Sequence, residues 1–360
     1  MSSQERFDEA LAAVLERVAV TYAEVGTRFP LFADPAGGRW TTTGRGSWTG
    51  GFWAGLLWLR ARQTGGSDDR AAASACTARL APWAEADTAT RGLILWYGTA
   101  LAVGDDRAAA LRGRAARACL TAMDHELGLV PWGSALGGPR MLARVDGVPG
   151  LVQLLAASGP EGAAVAGQHL HRHLDLCLGD DGRHLQPAWH FAAATGWQPC
   201  DDPAPGWSRG RAWLLLAVAD ALHSREVRGR RPDRLEAAAE QLLNDGSVLT
   251  GPLVPPAEET RPEGPLDTSA AAITAVALLK LARLRGARST EFSDRAAAIL
   301  GRLVSSHLSA GDGDRPAGML LDGCYDARRG HAVRHELIWG DFFLALGLAV
   351  LSGLVDITAV

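Results

Sequence analysis

Two arginines and two tryptophans crowd the start of a predicted helix in the middle of the chain. The segment Trp207-Ser-Arg-Gly-Arg-Ala-Trp213 follows a Pro-Gly pair, which breaks the chain, and leads into an apolar run of helical length. Four-residue spacing puts Trp207 and Arg211 on one face of this helix and Arg209 and Trp213 on another. These side chains suit a ligand pocket, but they equally suit a capped helix whose arginines extend to solvent.

Two carboxyl groups stand where a helix start meets apolar residues. Asp146 precedes a predicted helix in the sequence Arg144-Val-Asp-Gly-Val-Pro149, and an aspartate there is commonly an N-cap. The neighbouring Arg144 could instead hold this carboxylate for acid–base chemistry. Asp341 lies within the apolar segment 338–343. Because a buried carboxylate without a partner is costly, Asp341 needs either a structural partner or a ligand.

Aromatic and imidazole side chains complete the candidate binding set. Trp48 stands at the start of an apolar helix, where it could stack on a sugar ring, and Trp339 lies in the last apolar segment. His190 follows a tryptophan in a long loop; such a histidine is commonly structural or exposed, and it can also contact a ligand. Three alternate histidines, in the segment 169–173, fall on a charged helix. We expect them to be solvated and not to bind a metal.

The elements that position these residues are predicted from the 3.6-residue apolar period, which indicates about twelve helices and no convincing strand. Odd-numbered helices carry charge on one face, whereas even-numbered ones are apolar nearly all round and are therefore buried. This alternation predicts an all-α fold, an (α/α)6 toroid with six inner and six outer helices, and one domain over residues 1–360. The predicted helices span 4–26, 48–64, 70–84, 89–103, 107–124, 146–157, 161–178, 206–224, 232–244, 267–285, 291–308 and 337–353.

The long loops gather at one end of this predicted ring. Most inner helices follow a long loop (27–47, 125–145, 179–205, 245–266 and 309–336), and loops longer than about 12 to 15 residues commonly carry function. All inner helices begin at that end, so their free N–H groups and positive dipole ends favour an anionic ligand. We expect Arg209 and Arg211 to add to this attraction for a carboxylate.

The composition limits the class of function. A content of 47% hydrophobic and 21% charged residues is that of a globular chain, and a net charge of -4 gives no reason to expect nucleic acid or an acidic membrane as partner. The five cysteines are widely spaced and include no CxxC pair, which indicates neither a disulfide framework nor a zinc site. We expect no signal peptide and no membrane span, because the amino-terminal segment lacks an apolar core with a small-residue cleavage site and no run of about twenty apolar residues occurs. The sequence contains no phosphate-loop or dinucleotide-binding motif. We expect a cytoplasmic protein without metal or cofactor that acts on a small molecule.

Several segments together resemble the unsaturated uronyl hydrolases, glycoside hydrolase families 88 and 105. They occur in the same order over nearly the whole chain, and any one of them alone would be weak. The resemblance implies the same six-hairpin (α/α) toroid. The matching stretches are Ser47-Trp-Thr-Gly-Gly-Phe-Trp-Ala-Gly-Leu-Leu-Trp-Leu59, Val145-Asp-Gly-Val-Pro-Gly-Leu-Val-Gln-Leu-Leu155, Trp189-His190 followed by Ala194-Thr-Gly196, Trp207-Ser-Arg-Gly-Arg-Ala-Trp213, Pro265-Leu-Asp-Thr-Ser-Ala-Ala-Ala-Ile273 and Leu337-Ile-Trp-Gly-Asp-Phe-Phe343.

The resemblance also implies a reaction. In that family an aspartate protonates C4 of a 4,5-unsaturated uronic acid and then helps to add water at C5, after which the hemiketal opens and expels the aglycone. Glycosidases more commonly use two carboxylates that flank the scissile bond. Asp146 matches the family's aspartate, and His190, Trp207 and Arg209 match positions that contact the substrate.

Thr90 departs from the family's pattern. The family typically has a second aspartate in a His-Asp-x-Gly-Phe motif, and the matching stretch here is Ala89-Thr-Arg-Gly-Leu93. Asp87 lies close by, and we expect it to cap a helix. Three functions follow: hydration of an unsaturated uronyl glycoside or related enol ether by Asp146; a cyclase, hydratase or lyase reaction in the same pocket; or carbohydrate binding without turnover.

Overall fold

The structure is a computed structural model that describes residues 2–179, 184–245, 247–284, 286–311 and 315–360. Helices account for most of the described chain. They are α1 Ser3–Val25, α2 Gly50–Thr64, α3 Ser67–Ala78, α4 Asp106–Thr121, α5 Leu151–Ala156, α6 Pro160–Cys177, α7 Ser208–His223, α8 Arg225–Arg228, α9 Pro232–Asp245, α10 Thr268–Arg283, α11 Ser289–Ser306 and α12 Ile338–Leu351, with a π-helix at Gly92–Trp96.

Six of the described helical segments form a closed inner ring. In order they are α2, the π-helix, α5, α7, α10 and α12; each packs against the next, and α12 packs against α2. Outside this ring α1 covers α12 and α2, α3 covers α2, and α4 covers the π-helix and α5, while α6, α9 and α11 cover α5, α7 and α10. The predicted toroid of inner and outer helices is therefore confirmed.

Burial follows the polarity predicted for the two sets of helices. Leu214, Ile273 and Leu344 on inner helices are fully buried, whereas Val20 on the outer helix α1 is 48% exposed. In α7, every residue from Ser208 to Leu222 is buried, since other helices surround it. A helix without a charged face can be stable in water only in such surroundings.

Three predicted helices differ from the observed ones. The segment predicted as a helix over 89–103 contains only the π-helix and turns. The predicted helix over 146–157 begins as a 3-10 turn, Val145–Gly147, and restarts as α5 because Gly150 has a positive φ of 70°. The predicted helix over 70–84 ends early, at Ala78. The predicted end of the tenth helix, residue 285, lies outside the described residues.

The prediction of no strand is wrong. Short strands lie in the loops: β1 Phe29–Ala33, β2 Trp40–Thr43, β3 Leu142–Arg144, β4 Ala188–Ala192, β5 Gly196–Pro199, β6 Leu308–Ala310, β7 Ala317–Leu320, β8 Gly323–Asp326 and β9 His331–Leu337. They form antiparallel sheets in the orders β2-β1-β9-β8, β3-β4-β5 and β6-β7. Most are too short to show a two-residue period in the sequence. Among the described helices, none is long and apolar enough to cross a membrane.

Candidate active site

A cavity of about 420 Å³ opens at the end of the ring where the inner helices begin. Its walls come from residues just before these helices and from the loops and strands above them. Of the ten residues proposed from sequence, six line it: Trp48, Thr90, Arg144, Asp146, Trp207 and Arg209. These six residues lie at the end of the ring at which the sequence predicted a pocket, and they form a minority of the wall.

Asp146 points into this cavity from the 3-10 turn that joins β3 to α5. Its side chain is 16% exposed, and Arg144 donates to both carboxylate oxygens, at 3.1 and 3.2 Å. The guanidinium of Arg144 lies 4.7 Å from the centre of the Trp132 ring. The N-cap residue of α5 is Gly150, so Asp146 does not cap this helix.

Thr90 faces the same cavity, two residues before the π-helix. It is buried, and its hydroxyl lies 2.8 Å from that of Thr88. Asp87 does not line the cavity. Its carboxylate accepts hydrogen bonds from Arg140 at 3.0 Å and from the Ser134 amide at 3.1 Å. Burial tends to raise the pKa of Asp87, but these hydrogen bonds lower it below its ordinary value. The predicted helix cap at Asp87 is wrong, because this carboxylate anchors a loop instead.

Arg209 is buried in the cavity wall, and a carboxylate of the protein already balances its positive charge. It forms an ion pair with Asp267, and it donates to the carbonyl oxygens of Cys324 at 2.6 Å and Tyr325 at 2.9 Å. Its guanidinium lies 4.8 Å from the Trp207 ring centre. Arg209 thus joins α7 to α10 and β8. Replacing it would leave the Asp267 carboxylate buried and unpaired, which is strongly destabilising.

Four of the predicted site residues do not line the cavity. Arg211 donates to both oxygens of Glu259, at 2.6 and 2.8 Å. Trp339 is buried behind Trp48, with their ring centres 4.8 Å apart. His190 lies in β4, opposite Leu142 of β3 and Gln198 of β5. The fourth is Asp341.

Asp341 has a structural environment. It is buried near the Arg17–Glu336 ion pair, and its carboxylate accepts a hydrogen bond from the Leu320 amide at 3.3 Å. Burial, and then the charge of Glu336, raise the pKa of Asp341 well above its ordinary value. Of the two sequence-based explanations for this carboxylate, a structural partner fits this environment.

The alternate histidines of α6 are not solvated as predicted. His169, His171 and His173 are all buried, at 0%, 8% and 1% exposure. His169 faces inward, where residues of the long loop before β3 and of the turn after it pack over this helix: it contacts Val130 and Gly147. The charge on α6 is displayed on its remaining surface. Among the described residues, no three His, Cys, Asp or Glu side chains cluster as a metal site requires.

The sequence reasoning missed several residues of the cavity wall. Trp132 comes from the loop before β3 and Tyr325 from β8, while Asp202, Glu258 and Arg328 lie in loops. At the cavity edge Arg328 donates to Glu258 at 3.1 Å and to the Asp201 carbonyl at 2.8 Å. The unusual length of these loops was the available signal, and it gave their location but not the individual side chains.

Known proteins share this architecture. The unsaturated glucuronyl hydrolase of Bacillus sp. (strain GL1) is 27% identical over 367 residues, which cover 94% of each chain. A crystal structure of the unsaturated glucuronyl hydrolase from Bacillus sp. GL1 has a TM-score of 0.83 at 23% identity and covers 96% of both chains. One from Streptococcus agalactiae has a TM-score of 0.81 at 17% identity, over 99% of this chain and 94% of its own. No family model matches the chain. The predicted resemblance and the helical barrel are confirmed.

Proposed function

We propose that this chain, a homologue of the unsaturated glucuronyl hydrolases along nearly its whole length, hydrates the 4,5 double bond of an unsaturated uronyl glycoside or a related enol ether. Asp146 is the proposed general acid and base. The cavity admits a small sugar-like molecule, and Trp48 and Trp207 supply aromatic faces that suit a sugar ring. The observation that carries the proposal is the position of the Asp146 carboxylate in the cavity wall, on the 3-10 turn before the inner helix α5, with Arg144 as its hydrogen-bond donor among the described residues.

The other carboxylates of the cavity wall lie in loops or in β8, and each is held by an arginine other than Arg144. Glu258 is tied to Arg328, while Asp202 and Asp326 are tied to Arg329 at 2.6 and 3.1 Å. Among the described lining residues, Asp146 is the carboxylate that lies in the short 3-10 turn between β3 and the inner helix α5. It also matches the family's aspartate in the motif Val145-Asp-Gly-Val-Pro-Gly150.

In the proposed reaction the carboxyl group of Asp146 transfers its proton to C4 as a water oxygen adds to C5. The same carboxylate then takes up the proton that the water loses, so the acid is regenerated. The hemiketal formed at C5 opens, and the aglycone leaves as an alcohol. Arg144 orients the carboxylate through two hydrogen bonds, since a bidentate guanidinium restricts rotation of the group.

The direct test incubates the protein with an unsaturated uronyl disaccharide and follows the loss of absorbance of the conjugated double bond. We expect turnover by the native chain and a loss of about 10²-fold or more in Asp146→Asn, which keeps the shape but cannot transfer the proton. Asp175→Asn, a change on the outer helix α6 at a carboxylate that is 48% exposed, is the matched control and should retain full activity. Full turnover by Asp146→Asn would place the acid elsewhere.

A second candidate function is a different reaction in the same cavity, such as that of a cyclase, hydratase or lyase. Two observations favour it: Thr90 brings no second carboxylate, and the guanidinium of Arg209 is already paired with Asp267. Under this alternative the protein is inactive on unsaturated uronyl disaccharides. If calorimetry still detected their binding, carbohydrate recognition without turnover would be favoured instead.

A further inference from the structure

A buried histidine outside the cavity contacts two of the segments that form it. His169 lies on the outer helix α6 and is fully buried. Its Nδ1 accepts a hydrogen bond from the Val130 amide at 3.0 Å, and its Nε2 lies 3.3 Å from the Gly147 carbonyl oxygen. One segment leads to Trp132 in the cavity wall, and the other contains Asp146. A single imidazole therefore contacts the backbone of both segments beside the proposed acid.

The contacts of His169 determine which ring nitrogen carries the proton. An amide N–H can donate only to an unprotonated nitrogen, so Nδ1 is the acceptor and the proton of the neutral ring lies on Nε2. That proton points to the Gly147 carbonyl, which is an acceptor. Burial, and then the neighbouring His173, lower the pKa of His169 well below its ordinary value. The ring stays neutral, and both hydrogen bonds keep their direction.

The two tied segments also meet on the far side of Asp146. Arg144 holds the carboxylate, and its guanidinium lies over the ring of Trp132. The amide of Trp132 donates to the Leu142 carbonyl at 3.1 Å, which joins its segment to β3. A shift of either segment would consequently move Asp146 relative to Arg144 and to a bound sugar.

We propose that His169 is a positioning residue for Asp146, which it serves by holding Gly147 and Val130 at a fixed separation. This inference rests on the proposed function only for its kinetic consequence, since the backbone contacts exist whatever the substrate is. Displacing a reacting group by about 1 Å can reduce a rate by about 10²-fold. The effect of losing His169 should therefore fall on kcat more than on KM.

His173 provides a matched control on the same helix. It is the same residue type, it is buried to the same extent, and its ring centre lies 4.4 Å from that of His169. Its Nδ1, however, bonds to the His169 carbonyl at 2.8 Å, within α6. Replacing His173 removes a buried imidazole without removing a hydrogen bond to Val130 or Gly147.

The experiment compares His169→Asn, His169→Gln and His173→Gln. Asparagine has an acceptor near the position of Nδ1, whereas glutamine places an N–H donor near Nε2 and can retain the bond to Gly147. We expect kcat on the unsaturated disaccharide to fall about 10-fold or more in His169→Asn with KM changed by less than about 3-fold. His169→Gln should recover part of this loss. His173→Gln should keep kcat within about 2-fold, whatever its Tm. Equal kcat losses in His169→Asn and His173→Gln would overturn the proposal.

A measurement without substrate separates this inference from the proposed function. Hydrogen exchange is followed at the amides of Val145 and Val148, which bond to the Pro187 carbonyl at 3.0 Å and the Val145 carbonyl at 3.3 Å. We expect exchange at both amides to be about 10-fold faster in His169→Asn than in His173→Gln. If the native chain proves inactive but this difference is found, the positioning role stands and the proposed substrate is wrong. Equal exchange rates in the two variants would overturn the positioning role.

Discussion

Thr90 occupies the position at which the resemblance to the unsaturated uronyl hydrolases leads us to expect an aspartate. It is buried at the cavity wall and its hydroxyl pairs with Thr88, so it brings no charge to the pocket. A carboxylate in its place would share the cavity with Asp146. Two nearby carboxylates disfavour joint ionisation, so one of them is more readily protonated, which is the form that donates a proton.

We therefore predict that Thr90→Asp raises turnover of unsaturated uronyl disaccharides by about 10-fold or more. The double-bond absorbance assay measures the change, with the protein concentration corrected for the folded fraction. Thr90→Asn is the control, because it has nearly the size of aspartate without the charge, and it should gain nothing. A folded Thr90→Asp variant without a gain would mean that the pocket has been rebuilt for another molecule.

Residue types and motifs proposed Asp146 and Arg144 as site residues, and both line the cavity. They did not predict which charged partners other candidate side chains bind. Arg211 is paired with Glu259, 48 positions away, and Asp341 lies near Arg17, at the other end of the chain. The spacing of residues along one helix carries no information about such partners. The sequence therefore predicted that Asp341 needs a partner and could not say which, and it assigned Arg211 to a ligand although a carboxylate already holds it.

At the scale of elements, the long inner and outer helices were predictable because each carries many turns of one pattern. The short strands were not, because pairs such as Phe32 with Leu337 join segments about 300 residues apart. Helix α6 was predicted well in extent, but its histidines were assigned to solvent. The segments that cover His169 lie 39 and 22 positions before it, at Val130 and Gly147, and these contacts could not be predicted from the helix alone.

The burial of these histidines makes stability depend on pH in a stated direction. Burial lowers the pKa of His173 to about 4, from an ordinary value of 6.5. Between these values the unfolded chain binds a proton that the folded chain does not, so stability falls as pH decreases from 6.5 to 4 and is fully present above 6.5. A shift of this size corresponds to about 3 kcal/mol at the lower end.

The native chain loses free energy of unfolding when the pH is lowered from 7 to 5. We predict that this loss is smaller by about 2 kcal/mol in His173→Gln. Urea unfolding at both pH values measures it. His125 is an exposed histidine in the loop between α4 and β3, and His125→Gln should show the same loss of free energy of unfolding as the native chain. A loss in His173→Gln as large as in the native chain would mean that His173 does not carry this pH dependence.

At the scale of the whole molecule, closure of the toroid requires one short segment in its inner ring. The alternation of polarity predicted a closed ring, but one inner segment is the short π-helix and not a full α-helix. π-helical turns occur frequently at functional sites. This one begins two residues after Thr90, and Leu93 within it lines the cavity, so the closure of the ring and the shape of the site share the same residues.

Gly92 makes this closure possible, since a Cβ at this position would lie 2.0 Å from the Leu151 amide nitrogen and 2.5 Å from the Gly150 carbonyl carbon. Both atoms are backbone, so the π-helix and α5 would have to separate.

We predict that Gly92→Ala lowers the free energy of unfolding by about 3 kcal/mol. Gly301→Ala is the control: apart from its chain neighbours and the backbone of its own helix, no atom lies within 4 Å of a Cβ there, and the residue is within the outer helix α11. Alanine at 301 should stabilise the chain by up to about 1 kcal/mol. Urea unfolding of both variants decides the matter, because unchanged stability in Gly92→Ala would show that the ring can open at this point without cost.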